Sequence, residues 1–272
     1  MSRAWRMAAL AALVVVLILA LTPYMWMLLT SFKSRIDALA DSPVWFFTPT
    51  LEHYPEVFLN KGYLPLVWNS VVVATATTFL SLLVGVPAAY VFARHDFSGK
   101  EDLFFFFLTT RMAPPISVVV PLFLLFSYVG LVDTRTAVIL AHSTFNLSLV
   151  VWMMRGFFAD IPRETDEAAL MDGHTRAGMF LNVLLPLAAP GMAASAVLCF
   201  MLSWNEFLYA LILVAFESRT LTVGIPGLVT PHGTLWGQVA AVAVVATVPI
   251  IVFTVVVQRH LVRGLTFGAV KG

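Results

Sequence analysis

Residues 163–173 gather the side chains of this chain best suited to gripping another protein. Glu164, Asp166 and Glu167 come first, Ala168 and Ala169 follow, and Leu170, Met171, Asp172 and Gly173 close the run. Pro162 suits the first turn of a helix, where its missing N–H costs nothing. Acids just after it meet the positive end of the helix dipole. Gly173 is free to take the left-handed conformation that ends a helix. The spacing therefore predicts a short helix from about Arg163 to Asp172. Two alanines leave its middle slim enough to lie in a groove, and Leu170 and Met171 add apolar contact. An acidic start fits a cleft on a protein better than a lipid surface, which favours Lys and Arg on the polar face. Composition alone also allows a plain amphipathic connector resting on the membrane.

A second set of polar residues stands inside apolar runs, where ionisable groups are costly and usually face a cavity or a partner. Arg111 falls about 12 Å into one such run at 1.5 Å per residue, just before Pro114-Pro115. A double proline removes backbone hydrogen bonds and breaks or kinks a helix, and transporters use such breaks to expose backbone to a cavity. Two readings of Arg111 stand: substrate contact or gating, and snorkelling to the headgroups. Trp204, Asn205 and Glu206 combine an indole that stacks on a sugar face with an amide and a carboxylate that bond hydroxyls. The same three residues also read as an interfacial anchor with a structural carboxylate. Asn69, Asn146 and His142 are weaker candidates of the same kind, and His142 alone reads first as a hydrogen-bonded packing residue.

Nothing in the chain points to catalysis. The six histidines are scattered and none stands at metal-ligand spacing from another. Neither a His-Glu-x-x-His motif nor a phosphate-binding Gly-x-x-x-x-Gly-Lys-Ser/Thr loop occurs. No catalytic residue, metal site or cofactor of its own is expected. The single cysteine, Cys199, excludes an intrachain disulfide.

The elements that carry these residues are membrane helices. The chain is 60% hydrophobic and 11% charged, against about 25% charged in soluble domains, with a mean hydropathy of +0.91. A bilayer-crossing helix needs about 20 mostly apolar residues. Six stretches qualify: Met7–Leu29, Trp68–Phe92, Leu103–Val129, Thr136–Phe158, Leu187–Leu211 and Gln238–Val257. The first exceeds the usual apolar core of a secretory signal and reads as an uncleaved span. The expected fold is all-α: one transmembrane domain over residues 1–272, with a loop at 159–186 and a tail at 258–272. With the N-terminus inside, ten loop Lys and Arg fall on the cytoplasmic side and five outside, so both termini and the Glu167 segment are expected in the cytoplasm. Two spans carry small residues at every fourth position: Thr77, Ser81, Gly85 and Ala89, then Gly191, Ser195, Cys199 and Ser203. Such stripes let helix backbones approach closely, either within this chain or against a second subunit.

Glu167-Ala168-Ala169, Gly173, Val183 and Leu185-Pro186 resemble the EAA loop of ABC importer permeases. Asn69-Ser70, Arg94 with Phe97-Ser98-Gly99-Lys100, and the tail from Gln258 to Gly272 are similar to the maltose-type carbohydrate subfamily. Thr110–Pro115 and Ser203–Phe207 are similar to its sugar and polyol members. The resemblance implies the type I importer permease fold in a bacterial inner membrane, spans two to six forming the core. It implies inward passage of a small carbohydrate or polyol, driven by a separate ATPase that carries ATP and Mg. It also implies two copies of that ATPase, a second homologous permease and an extracytoplasmic solute-binding protein as partners, with no nucleic acid involved. The loop residues Glu164 and Glu167–Gly173 would couple to the ATPase, and Gly264, Gly268, Lys271 and Gly272 would touch it from the tail. A glycerol or glycerol phosphate importer subunit is the near alternative. A stand-alone secondary transporter is the distant one; it would call for internal repeats and an in-span acid relay, and Glu206 is the one acid within a proposed span.

Overall fold

A computed structural model describes residues 3–231 and 233–268, with side chains for 5–231 and 233–256. Its principal helices are α1 (Arg3–Ser31), α2 (Tyr63–Arg94), α3 (Lys100–Met112), α4 (Pro115–Tyr128), α5 (Arg135–Asp160), α6 (Arg163–Met171), α7 (Arg176–Leu187), α8 (Ala189–Trp204), α9 (Leu208–Leu213) and α10 (Trp236–Gly268). Among the described residues, four helices are long and apolar enough to cross a membrane: those at α1, α2, α5 and α10. Two bent pairs, α3 with α4 and α7 with α8, raise the number to six if each pair is one span. The upper figure equals the number of stretches expected.

The bends follow the prolines. The α3 and α4 axes meet at 96°. Ala113 and Pro114 are extended there, and Pro115 opens α4. The α7 and α8 axes meet at 71°, with Pro186 and Pro190 on either side of the break. Ahead of it, Phe180–Leu184 form a π-helical turn, a widening that accommodates lost backbone bonds. The predicted fifth span, 187–211, ends early: α8 stops at Trp204 and α9 starts at Leu208. The cause is Glu206, whose carboxylate accepts the backbone N–H groups of Tyr209 and Ala210 and so caps a new helix. The last helix runs to Gly268, past the predicted end at Val257. Gly264 and Gly268 lie on its backbone, while Lys271 and Gly272 lie outside the described residues.

The chain forms two compact units. One comprises residues 1–65 and 224–248. In it His53 is buried, its Nε2 2.9 Å from the Lys33 carbonyl, and Lys33 Nζ stands 4.0 Å from the centre of the Trp26 ring. A two-stranded antiparallel hairpin pairs Val229 with Thr234. The exposed face of α1 is apolar along its length, as a lipid-facing or partner-facing helix requires.

The other unit, residues 66–223 and 249–272, is centred on α5. Both small-residue stripes pack inward against it. On α2, Thr77, Ser81, Gly85 and Ala89 are buried, and Gly85 has no room for a side chain because Val150 is already there. On α8, Gly191 sits on the Phe157 ring and Ser195 Oγ lies 3.8 Å from Met153 Sδ. The stripes therefore serve packing within this chain.

At one end of this unit, polar groups tie α2, the start of α5 and residues 215–221 together. Asn69 donates to the carbonyls of Glu217 and Arg219 and accepts from Arg135 Nε at 2.8 Å. Ser70 Oγ accepts the Leu221 N–H. Asp133 holds a left-handed backbone (φ 61°), and its carboxylate accepts the N–H groups of Ala215, Phe216 and Ser218. Burial alone would raise the Asp133 carboxyl, but these donors outweigh it and hold it below the ordinary aspartate value.

Candidate functional site

At the other end of the same unit stands the acidic helix. It spans Arg163–Met171 with Asp172 as its C-cap, close to the predicted limits. Gly173 takes φ +86°. The Gly173 N–H bonds the Leu170 carbonyl and the His174 N–H bonds the Ala169 carbonyl. This is the double closure that a left-handed glycine permits at a helix end.

The helix has two distinct faces. Ala169 is buried in the core beside Val86 and Ala89 of α2 and Phe158 of α5. Glu164, Glu167, Ala168, Leu170 and Asp172 are exposed, and Met171 is 88% exposed. Leu170 and Met171 thus stand exposed beside carboxylates. A depression of about 440 Å³ runs along this face, lined by Glu164, Ala168, Asp172, His174 and Val183. Of the predicted contact residues, then, Ala169 alone is buried, and it too lines this depression.

One contact here was not foreseen from the sequence. Arg94, the last residue of α2, has a side chain only 6% exposed. Its Nη2 donates to the Ile161 carbonyl at 2.8 Å and to Asp166 Oδ1 at 3.2 Å. Its Nε lies 2.9 Å from Asp166 Oδ2, at an angle that makes it a charge contact rather than a hydrogen bond. Both ends were visible in the sequence, Arg94 in a basic loop and Asp166 in the first turn of an acidic helix. Their pairing required the fold.

The second candidate group sorts differently. A cavity of about 540 Å³ lies where α3, α4, α5 and the α8–α9 break converge. Phe107, Phe145 and Tyr209 form apolar walls, while Thr110, Arg111, Ser148 and Glu206 add polar atoms. Thr110 and Ser148 hydroxyls are 2.9 Å apart. Glu206 Oε2 is 3.1 Å from His142 Nε2, and His142 Nδ1 is 2.9 Å from Ser203 Oγ. A carboxylate only accepts, so Nε2 is the donor to Glu206. His142 is thus a hydrogen-bonded core residue.

Arg111 and Glu206 share this cavity; Trp204, Asn205 and Asn146 do not line it. Trp204 is 4% exposed and stacks on Phe200, so its faces are already covered. Asn205 is exposed and donates to the Met201 carbonyl one turn back. Asn146 is fully buried on α5, its amide without a hydrogen-bond partner among the described residues.

Residues 81–267 match the family model described as "Binding-protein-dependent transport system inner membrane component". The chain belongs to this family. The permease subunit is 38% identical over 256 residues to the trehalose transport system permease protein of Mycobacterium tuberculosis, covering 93% of each chain. It is 32% identical over 252 residues to the diacetylchitobiose uptake system permease protein of Streptomyces coelicolor, covering 92% of this chain and 91% of that one. Among solved structures, a bacterial ABC transporter that imports the acidic polysaccharide alginate contains a chain that superposes with a TM-score of 0.75. That chain is 25% identical, and the match covers 95% of this chain and 98% of that one. The fold is therefore that of a type I ABC importer permease, and the protein is a component of an inner-membrane transporter rather than an enzyme.

Proposed function

We propose that this permease subunit passes a small carbohydrate or polyol into the cell, driven by ATP that a separate subunit hydrolyses. The observation that carries the coupling half is α6, an acidic helix held on its inner face and exposed on its outer one. Glu164, Glu167, Ala168, Leu170, Met171 and Asp172 contact a cleft on the ATPase, while Ala169 and Gly173 shape the helix that presents them. ATP and Mg are held by that partner. The carbohydrate half rests on relatives whose names specify trehalose and diacetylchitobiose.

The assembly contains a second homologous permease, two ATPase copies and an extracytoplasmic solute-binding protein. Both termini and α6 face the cytoplasm, as the Lys and Arg distribution favours. Arg111 and Glu206 border the route through the cavity. Glu206 contributes chiefly by holding the α8–α9 break open, since its oxygens are engaged by His142 and the α9 N-terminus. The tail residues Gly264, Gly268, Lys271 and Gly272 add contact with the ATPase.

The test replaces the chromosomal copy with Glu167→Lys or Gly173→Val and follows uptake of a labelled panel of disaccharides and polyols. We expect normal insertion, loss of the ATPase from the purified complex, and loss of uptake of one panel member that the parent strain takes up. Unchanged uptake and co-purification in both variants would sink the coupling assignment. No panel member depending on the intact gene would sink the carbohydrate assignment.

A further inference from the structure

We propose that Arg94 is a positioning residue that transmits movement of the acidic helix α6 into the long helix α2. This rests on the reading of α6 as the element that docks on the ATPase. An outer face that receives a push must deliver it through the inner face. On that inner face the buried Ala169 joins a core that α2 and α5 share, and Asp166 stands on Arg94 at the end of α2. Apolar contact of the Ala169 kind is non-directional and lets surfaces slide. A guanidinium that donates to one carboxylate oxygen and to the Ile161 carbonyl, with the other carboxylate oxygen in charge contact, constrains direction as well as distance.

The geometry suits that task. Arg94 ends α2 and Asp166 lies in the first turn of α6, so each charge also faces the favourable end of its own helix dipole. The same guanidinium grips the Ile161 carbonyl at the end of α5, so one side chain joins three elements. With side-chain exposures of 6% and 16%, the pair is largely shielded from the screening that weakens surface ion pairs. From Arg94 the helix runs back past Ala89, Gly85, Ser81 and Thr77, all buried. A displacement at Arg94 therefore enters a helix that is closely packed on this face on both sides of Pro87.

The test uses the full complex with its ATPase and partner permease in lipid. The background is Cys199→Ser with Val118→Cys, which puts one thiol in the cavity. Its labelling by a membrane-impermeant maleimide is followed with and without Mg-ATP and vanadate. In Arg94→Met and in Asp166→Asn, the ATPase should still co-purify and hydrolyse ATP, while the nucleotide-dependent change in labelling falls roughly tenfold, within the usual span of coupling between sites. Arg94→Lys, which keeps the charge but not the fork, should recover part of the change. A full labelling response in either Arg94→Met or Asp166→Asn would overturn the proposal. So would loss of the ATPase from Arg94→Met, since Arg94 would then merely build the docking surface, or failure of Arg94→Met to assemble together with a normal response in Asp166→Asn. Glu167→Lys separates the two ideas: if it keeps its ATPase and full response, the docking reading falls regardless of Arg94.

Discussion

Asp133 illustrates how one residue here accepts backbone strain for the sake of its side chain. A left-handed backbone is uncommon outside glycine, with aspartate and asparagine the usual exceptions. In return its carboxylate collects the N–H groups of the 215–218 loop, which helical or sheet bonding does not satisfy. Those donors lower its pKa against the opposing effect of burial. A carboxyl lowered on folding adds stability above its unfolded pKa, and that stability is lost as pH falls through the folded one. Asp133→Asn keeps the tolerated backbone but removes the charge. We expect it to cost about 1–2 kcal/mol near neutral pH, because hydrogen bonds to charged groups are the stronger kind, and to flatten the acid limb of the stability curve. Thermal unfolding of the purified complex from about pH 6 down to about pH 3 checks this. An acid limb as steep as the parent's would contradict the assignment.

At the scale of elements, α5 organises its unit because α2 and α8 each present small residues to it. The close approach at Gly85 and Gly191 leaves no volume for a Cβ: Val150 and the Phe157 ring already fill it. Gly85→Val and Gly191→Val should each destabilise by about 1–3 kcal/mol through overpacking. Gly156→Ala on α5 has open space around it and should have little effect. Steady-state abundance and protease resistance of the subunit in membranes report the difference. Equal behaviour of all three would mean the helices separate freely at these contacts. The bent pairs follow the opposite logic. There prolines prevent close regular packing: the α7–α8 break is buried in the core, while the α3–α4 break and the Glu206 cap leave irregular backbone around a cavity, and both are places where irregular backbone is tolerated in a membrane.

For the molecule as a whole, the charge distribution predicts its orientation. A single cysteine placed at Glu217, in the loop that Asn69 and Asp133 hold, should react with an impermeant maleimide in intact cells on a Cys199→Ser background. One placed at Met171 should react only after the membrane is opened. Glu217 and Met171 reacting alike in intact cells would reverse the topology and remove α6 from the reach of a cytoplasmic ATPase.

Much of this was legible in the residues themselves. Hydropathy marks the spans because lipid offers no partner for a backbone group or a charge, so twenty apolar residues in a row have few other uses. The helix at 163–171 and its glycine stop are local events, fixed by dipole, proline and left-handed glycine within a single run of chain. The bend after Arg111 is likewise written in Pro114-Pro115. What the sequence left open depends on residues far apart in the chain meeting in space. Whether the two small-residue stripes faced a partner or this chain was decided by Val150 and Phe157. Trp204 looked available for stacking until Phe200 was found against it, and Glu206 looked like a free carboxylate until α9 and His142 claimed its oxygens. Arg94 and Asp166 are separated by three helices, α3, α4 and α5, and no periodicity links them. Their pairing arises only when α2, α5 and α6 pack, because a buried guanidinium must find its acceptors wherever the fold supplies them.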